Sequence, residues 1–561
     1  TGRFVFSGFP QTMEMLYGSV LALHGPAAAK LFAWQFLPVA GLLVFRAART
    51  DRRLAALLAA CFCGMPFLGS LAIFANVDLP LLTVEAAAFA LLAEWIATAR
   101  GKPPVAAAWL LGTALGMKYL GAFALLGAGA ALLLAAPRRA AIFARRAWPY
   151  ALFLPAAWGV KSWLLTGNPS FPYLAGLFGA HDVEPATLER HLRYAVEWRA
   201  AHPAWRAWAD LLPVSLLSGT YSGWREALSP VLFVAPAALL AARRPLDPTA
   251  RFLGILSALL YAVWAHAGGG IYRFLAPLYP AVFLLAGRLL PTLPFPTAAA
   301  GFLALALVAH LPPLIASQRL LADPAPLAWG CETEREYLAR VIAPYGRWAG
   351  AYARAVTASP PPRRVLLMGD IHALSAPGRF ITEFEFAPPL LHALARDCPD
   401  PRRMRIALRQ RGVGVVLLRV EGASSIGRMA GVHLDAPAAT RLQAFSAAYS
   451  EPVWTEEHEA ENSYYHCFVL RSAPGAFRAP ASVLWYDLPG AEALTSPVDA
   501  LLESGRPREA RAAAEALLRE RPGFAPAWLR VALACRKLGD AAGAARAARE
   551  LRALGFGTLL K

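Results

Sequence analysis

The sequence predicts a polytopic α-helical membrane protein that carries an outer α/β domain and a C-terminal pair of helical hairpins. Of its 561 residues, 57% are hydrophobic, and the mean hydropathy is +0.42. Apolar runs of about 20 residues, each long enough to cross a bilayer as a helix, follow one another as far as Ser317. The chain then turns polar. We therefore predict a multi-span membrane domain at 1–317, an α/β domain at 318–490 and helical repeats at 491–561.

The apolar runs divide the membrane domain into ten candidate spans. Their expected bounds are 26–46, 54–74, 79–97, 105–118, 120–136, 148–166, 229–242, 252–267, 273–290 and 296–316. Residues 2–16 are mixed in polarity and predict the end of a loop that enters the membrane. Because the chain starts inside such a loop, we expect a first span and its outer loop to precede Thr1.

Basic residues set the predicted orientation of the spans. They cluster in alternate short loops, at 46–53, 100–102, 138–146 and 243–251. Such loops stay in the cytoplasm, so the remaining loops and the polar C-terminal regions should lie on the periplasmic side of a bacterial inner membrane. Topology thus explains the net charge of +18. The sequence has no basic stripe interleaved with aromatic residues, so nucleic acid is not an expected partner.

One short polar stretch, residues 75–80 (Ala-Asn-Val-Asp-Leu-Pro), separates two long apolar runs. It places Asp78 at a membrane–water boundary, where a carboxylate is usually paired, hydrated or functional. Asp78 followed by Pro80 also fits a helix N-cap signal. The sequence leaves both interpretations open: a cap alone, or a cap that also forms one wall of an active site.

Three basic residues are expected at the same outer face. Lys118 lies at the turn between two apolar runs, Lys161 lies five residues before Thr166, and Arg273 follows the glycine-rich stretch 267–270. The two lysines fit cations that extend to the membrane interface from an apolar surface. They equally fit cations that bind a lipid phosphate at that interface.

The polar regions carry a mixed secondary-structure signal. Strands are expected at 364–368, 413–420 and 464–471, with a helical pattern at about 387–411, which predicts a small α/β domain. In the tail, Gly505 and Gly539 are 34 residues apart, as are Ala510 and Ala544. That period is typical of tetratricopeptide repeats, and residues from about 496 to 556 resemble two of them. Two repeats are few for a stable solenoid, so the tail should pack on its neighbour or bind a partner protein.

Residues from about 10 to 480 resemble the GT-C superfamily of membrane glycosyltransferases, in particular the bacterial relatives of protein O-mannosyltransferases and the lipid A aminoarabinose transferase. Short motifs carry the resemblance in this order: 10–16, 76–80 (Asn-Val-Asp-Leu-Pro), 116–118 (Gly-Met-Lys), 166–172 (Thr-Gly-Asn-Pro-Ser-Phe-Pro) and 272–277 (Tyr-Arg-Phe-Leu-Ala-Pro). The predicted topology and the outer α/β domain fit it as well. The resemblance implies an inverting transfer of a sugar from a polyprenyl-phosphate carrier to a glycan, lipid or protein acceptor.

The resemblance also implies roles for individual residues. Asp78 corresponds to an acidic position at the start of a later span, and we predict Asp78 and Glu14 as the catalytic carboxylates. Lys118, Lys161 and Arg273 match basic positions near the donor phosphate. In such enzymes the main acidic residue lies in the first outer loop, which is the loop expected before Thr1.

Asn168, Tyr272 and Glu226 lie in or beside the predicted outer loops and are the candidate substrate-pocket residues. The chemistry of the residues agrees, because cleavage of a glycosyl phosphate needs positive charge at the departing phosphate and a base for the acceptor. The sequence has no Asp-x-Asp pair and no Cys/His metal spacing, so no metal ligands are predicted and the role of a divalent metal stays open. The lipid-linked sugar is the expected donor.

Two other functional classes fit part of the pattern. A transporter or flippase for a lipid-linked substrate would also have ten or more spans and a basic outer pocket. The sequence shows no pseudo-repeat of two halves, and its outer domain is large, which favours the transferase. A non-catalytic scaffold for cell-envelope assembly would use the repeats of the tail as its docking site.

Overall fold

The structure of the chain is a computed structural model. It describes residues 9–553 apart from 49, 74–75, 99–100, 182–184, 202, 210–229, 242–244, 268–270, 294–295, 322–325, 327–328, 334–335, 338–353, 358–361, 363, 369–379, 383–388, 420–435, 459–462, 478–487 and 521–524. At a few further positions, including Tyr272, only the backbone is described.

The membrane domain is a helical bundle. Its helices are α1 (Thr12–Trp34), α2 (Phe36–Ala47), α3 (Arg52–Cys63), α4 (Pro66–Ile73), α5 (Asp78–Thr98), α6 (Val105–Met117), α7 (Gly121–Ala135), α8 (Pro137–Arg146), α9 (Trp148–Ala151), α10 (Phe153–Thr166), α11 (Ala175–Phe178), α12 (Pro185–Ala201), α13 (Val234–Ala241), α14 (Pro248–Ala267), α15 (Leu278–Leu289) and α16 (Pro296–Leu321). Single-turn 3₁₀ helices occupy Pro230–Phe233, Tyr272–Leu275 and Leu290–Thr292.

Three helical segments of the described chain are long and apolar enough to cross a membrane: Ala28–Ala47, Asp78–Thr98 and Pro248–Ala267. A fourth results if Arg52–Cys63 and Pro66–Ala72, which bend by 61° at their junction, form one span. Most other predicted spans coincide with shorter apolar helices, whereas the span predicted at 148–166 is interrupted at Leu152, between α9 and α10.

The prediction of a loop at 2–16 is wrong in its second half, because α1 already begins at Thr12. Glu14 therefore lies in the first turn of a helix, where a carboxylate is favoured by the helix dipole.

Helix α5 lies at the centre of the bundle and packs against α2, α6, α14 and α15. Its side chains are buried on nearly every side, including Leu82, Phe89 and Leu92. Outer helices instead expose large apolar side chains: Leu164 is 80% exposed and Leu305 is 67% exposed. An outward apolar surface of this kind is suited to hydrocarbon rather than to water.

The α/β domain contains a five-stranded sheet of order β2-β1-β3-β5-β4. Strand β1 (Arg364–Met368) pairs in parallel with β2 (Phe380–Thr382) and with β3 (Val413–Arg419), whereas β5 (Ser463–Leu470) pairs antiparallel with β3 and with β4 (Ser450–His458). The central strands are nearly continuous runs of buried aliphatic residues, as expected for strands covered on both faces. The helices α17 (Leu390–Asp397), α18 (Pro401–Gln410) and α19 (Ala436–Tyr449) complete the domain.

The three predicted strands are confirmed, but the sequence missed β2 and β4. The helical pattern at 387–411 is two helices, because Asp400 caps a new helix: its carboxylate accepts a hydrogen bond from the Arg403 amide at 2.8 Å.

The tail forms the helices α20 (Leu488–Glu503), α21 (Pro507–Glu520), α22 (Ala525–Leu538) and α23 (Ala541–Ala553). Gly505 and Gly539, at the turns that follow α20 and α22, have φ angles of +73° and +72°, which glycine adopts without steric cost. Leu551 is fully buried in the core of the α/β domain, and Trp528 packs against that core. The tail thus packs on its neighbour, as expected, while its identity as tetratricopeptide repeats stays a prediction.

Candidate active site

An ion pair between Asp78 and Lys118 forms the centre of the candidate site. Lys118 Nζ donates a hydrogen bond to Asp78 Oδ1 at 2.6 Å. The side chain of Asp78 is 3% exposed and that of Lys118 is 24% exposed, so one partner is buried and the other still reaches solvent. The contact is a short, charge-assisted hydrogen bond that fixes the two side chains relative to one another.

The chain positions this pair through the ends of two neighbouring helices. Asn76, rather than Asp78, caps α5, because its Oδ1 accepts a hydrogen bond from the Asp78 amide at 2.6 Å. The interpretation of Asp78 as the cap is therefore wrong, and its carboxylate is free for Lys118. Lys118 directly follows α6, and the next helix begins at Gly121, where a Cβ would overlap the backbone of Ala114. Glycine thus permits the tight hairpin that points Lys118 at Asp78.

The start of α1 lies against the same helix ends. The Tyr17 hydroxyl donates to the Asn76 carbonyl at 2.8 Å. Thr12 Oγ1 donates to the Gly116 carbonyl at 2.6 Å and accepts a hydrogen bond from Trp158 Nε1 at 2.8 Å. These bonds tie α1 to α5, α6 and α10. They bring the exposed Glu14 into electrostatic contact with Asp78, Lys118 and Lys161, so both predicted carboxylates share one site.

Lys161 lies at the edge of this group. Its Nζ donates to Gln11 Oε1 at 2.7 Å and lies 4.7 Å from the centre of the Trp158 ring. Its charge also interacts with that of Glu14. Lys161 is therefore held beside the first turn of α1.

Arg273 and Lys118 both lie near the aromatic ring of Phe274. Lys118 Nζ lies 4.8 Å from the centre of the Phe274 ring, and Arg273 Cζ lies 5.4 Å from the same centre. The Arg273 Nε is buried and makes no hydrogen bond to any described residue. One donor of this guanidinium therefore has no partner in the part of the chain that the structure describes.

A small apolar cleft adjoins the two cations. Phe274 is one of its walls, so the cleft begins where the cationic group ends. The other lining residues are Leu120, Phe123, Leu260, Trp264, Leu275, Pro277 and Leu278.

Asn168, a predicted pocket residue, is instead part of the loop after α10. It is fully buried, and its Nδ2 donates to the Tyr173 carbonyl at 2.8 Å. Its Oδ1 accepts from the Ser170 amide at 2.9 Å. Both ends of the side chain are thus used to shape the loop, and we remove Asn168 from the proposed pocket.

The other two predicted pocket residues cannot be placed. Glu226 lies outside the described residues, and only the backbone of Tyr272 is described, in the 3₁₀ turn next to Arg273. Within the described residues, no group of three or more His, Cys, Asp or Glu side chains could hold a metal ion.

Three residues of this region were missed by the sequence analysis. Tyr17 and Phe274 were missed because they carry no charge. For Phe274 a signal was available, since it lies inside the 272–277 motif. Glu85 lies two helical turns below Asp78, is fully buried, and has both carboxylate oxygens without a hydrogen-bond partner among the described residues. It is the residue that sequence inspection should have found, since an acid within an apolar run is rare.

Comparison with solved structures finds similarities at low sequence identity. The structure of ArnT from Cupriavidus metallidurans in the apo state has 13% sequence identity and a TM-score of 0.47, covering 82% of this chain and 87% of ArnT. The structure of ArnT bound to undecaprenyl phosphate has 15% sequence identity and a TM-score of 0.45, and the match covers 75% of this chain and 84% of ArnT. A third structure is the archaeal oligosaccharyltransferase AglB from Archaeoglobus fulgidus in complex with an inhibitory peptide and a dolichol-phosphate. It has 13% sequence identity and a TM-score of 0.41, and the match covers 86% of this chain and 69% of AglB.

No protein-family model and no curated protein matches the sequence.

Proposed function

We propose that this protein is a membrane glycosyltransferase that moves a sugar from a polyprenyl-phosphate carrier to a glycan, lipid or protein acceptor. The observation that carries the proposal is the junction of a buried carboxylate, two cations and an apolar cleft at one end of the helical bundle. A lipid phosphate has the matching parts: a charged head and an apolar chain.

Lys118 and Arg273 are the proposed ligands of the donor phosphate. The negative charge on the phosphate increases by one as the bond to the sugar breaks, so cations at this point stabilise the departing group. The Arg273 Nε has no hydrogen-bond partner among the described residues, and Lys118 is the more accessible partner of its ion pair. The adjoining cleft is the proposed site for the first isoprene units.

Asp78 is the proposed base. An acceptor hydroxyl or amine loses its proton to the carboxylate as its oxygen or nitrogen bonds to the anomeric carbon, and the bond from that carbon to the phosphate oxygen breaks. The carrier leaves as a polyprenyl monophosphate. Attack opposite the leaving phosphate in a single step inverts the anomeric configuration.

The Asp78–Lys118 bond gives this mechanism an order. In the structure one oxygen of the Asp78 carboxylate is occupied, because it accepts a 2.6 Å hydrogen bond from Lys118. When the donor phosphate binds Lys118, that oxygen is released and can accept the proton of the acceptor. Donor binding therefore prepares Asp78 for the acceptor, and Glu14 and Lys161 are proposed to border the acceptor side.

The proposed location is a bacterial inner membrane, with the site and the C-terminal domains in the periplasm. The distribution of basic residues supports it: Arg52, Arg53 and Arg145 lie at helix ends remote in sequence from the site motifs, in loops expected to be cytoplasmic. A protein partner of the tail also stays a prediction, since the tail buries Leu551 against the α/β domain.

The direct test is sugar transfer from a polyprenyl-phosphate donor by the purified full-length protein in detergent or nanodiscs. We expect transfer to an acceptor, or slow donor hydrolysis to the sugar and polyprenyl phosphate. Movement of the donor across proteoliposomes without cleavage would instead establish the flippase. Neither cleavage nor movement, with a partner captured by the tail, would favour the scaffold.

A further inference from the structure

Phe274 has a position that the proposed reaction does not yet explain. Lys118 Nζ lies 4.8 Å and Arg273 Cζ lies 5.4 Å from the centre of its ring, and the ring also forms a wall of the apolar cleft. Two cations from different parts of the chain thus share one aromatic side chain. Phe274 therefore lies where the cationic group meets the cleft.

We propose that Phe274 is a positioning residue that holds Lys118 and Arg273 together for the donor phosphate. The inference rests on the proposed function. Two like charges near one another repel, and this repulsion is strong where water is scarce. The negative face of an aromatic ring attracts both cations and offsets part of that repulsion. The ring therefore keeps the two charges close to one point before the phosphate arrives.

The partners of the two cations show why the ring is needed. Lys118 is also held by Asp78, the first residue of α5. Arg273 has a buried Nε without a hydrogen-bond partner among the described residues, so the Phe274 ring is its observed attachment in the site. Without the ring, we expect Arg273 to turn away, which leaves the phosphate with one fewer prepared ligand.

An apolar residue of similar size would preserve the cleft but not the attraction for cations. This difference separates positioning of the phosphate ligands from simple contact with the lipid chain. A loss of positioning weakens every phosphate ligand by the same factor, whatever the length of its chain. A loss of chain contact weakens a long-chain ligand and leaves a short one unchanged.

The experiment compares binding of undecaprenyl phosphate and of methyl phosphate, which has no isoprene unit to enter the cleft, to the full-length protein. The variants are Phe274→Leu, Phe274→Tyr and Phe274→pentafluorophenylalanine, which keeps the ring but reverses the charge distribution of its face. We expect the leucine and fluorinated variants to bind both phosphates about three- to tenfold more weakly, and the tyrosine variant to bind like the unaltered protein. The matched control is Phe123→Leu in the same cleft, which should affect undecaprenyl phosphate alone.

The fluorinated variant keeps the test decisive if Phe274→Leu does not fold, because fluorination scarcely changes the shape of the ring. Unchanged affinity of the fluorinated variant for both phosphates would overturn the inference. Weakening confined to undecaprenyl phosphate in Phe274→Leu would reduce Phe274 to a chain contact. If the unaltered protein does not bind undecaprenyl phosphate, the proposed function itself fails, which is a distinct result.

Discussion

Replacing Asp78 with asparagine should weaken catalysis and strengthen binding of the carrier phosphate in the same protein. Asparagine has nearly the same shape as aspartate and lacks its charge. Asn76 supplies the cap of α5, so the start of the helix should survive the substitution. Among the described residues, the side-chain bond that the substitution alters is the one to Lys118 at 2.6 Å.

The magnitude follows from the exposure of the two partners. Solvent-exposed ion pairs contribute about 0.2–1 kcal/mol, and hydrogen bonds to charged groups about 1.5–3 kcal/mol. With Asp78 buried and Lys118 at 24% exposure, we place this pair at about 1–2 kcal/mol. A phosphate no longer has to displace the carboxylate, so its affinity should rise by about 5- to 30-fold. Loss of the base should lower turnover by about 10²- to 10⁴-fold.

The assay combines titration with undecaprenyl phosphate and single-turnover transfer of the sugar. Glu85→Gln is the matched control, because it makes the same chemical change seven residues further along α5. Glu85 has no ion pair among the described residues and no access to solvent, so we expect turnover and affinity close to those of the unaltered protein.

Opposite shifts of affinity and turnover in Asp78→Asn cannot result from misfolding, which weakens both. Full turnover in Asp78→Asn would refute the role of the base. Weaker binding of undecaprenyl phosphate would refute the competition between the carboxylate and the phosphate for Lys118.

Three further predictions concern the rest of the chain. Burial lowers the pKa of His392 to about 3, so on acidification the unfolded chain takes up a proton at this residue before the folded chain does. The free energy of unfolding of the α/β domain should therefore fall by about 2 kcal/mol between pH 6.5 and 5, measured by hydrogen exchange in β3. His392→Leu should abolish that loss. Leu551→Ala should destabilise the α/β domain by about 2–5 kcal/mol in the same measurement while donor hydrolysis persists. A cysteine at Arg145 should resist a membrane-impermeant reagent applied from outside, whereas one at Pro362 should react; the reverse pattern would invert the topology.

The order of elements could be predicted from sequence more completely than their lengths. Apolar runs mark the helices because hydrocarbon requires them, and the runs of buried aliphatic residues mark β1 and β3. The edge strand β4 was missed because Glu451, Glu456 and Glu457 give it a polar sequence, which is permitted at the border of a sheet. The break at Leu152 does have a sequence signal, because Pro155 lacks the amide that would donate to the Ala151 carbonyl in a continuous helix.

The candidate site shows the same division. Asp78, Lys118 and Arg273 could be predicted because charged residues beside apolar runs are conspicuous. Their grouping depends on which helix ends meet, and it follows from contacts such as Tyr17 with the Asn76 carbonyl. Asn168 was assigned to the pocket because a polar residue in a short motif suggests a ligand. Its side chain instead satisfies the backbone of its own turn, which is the more frequent use of asparagine in loops.

The location of the charges within the helices explains why Asp78, Lys118 and Arg273 could be predicted as site residues and why Glu85 is not one. Asp78 begins α5, Lys118 follows α6, Glu14 lies in the first turn of α1, and Arg273 lies in a short turn before α15. Charges at helix ends remain within reach of the interface, so a reaction between a lipid phosphate and a polar acceptor is naturally placed there. Glu85 lies too deep in α5 for that role. A site formed by helix ends therefore predicts a large response to loss of the charge at Asp78 and almost none at Glu85, and comparing the two variants tests the placement of the site as well as its chemistry.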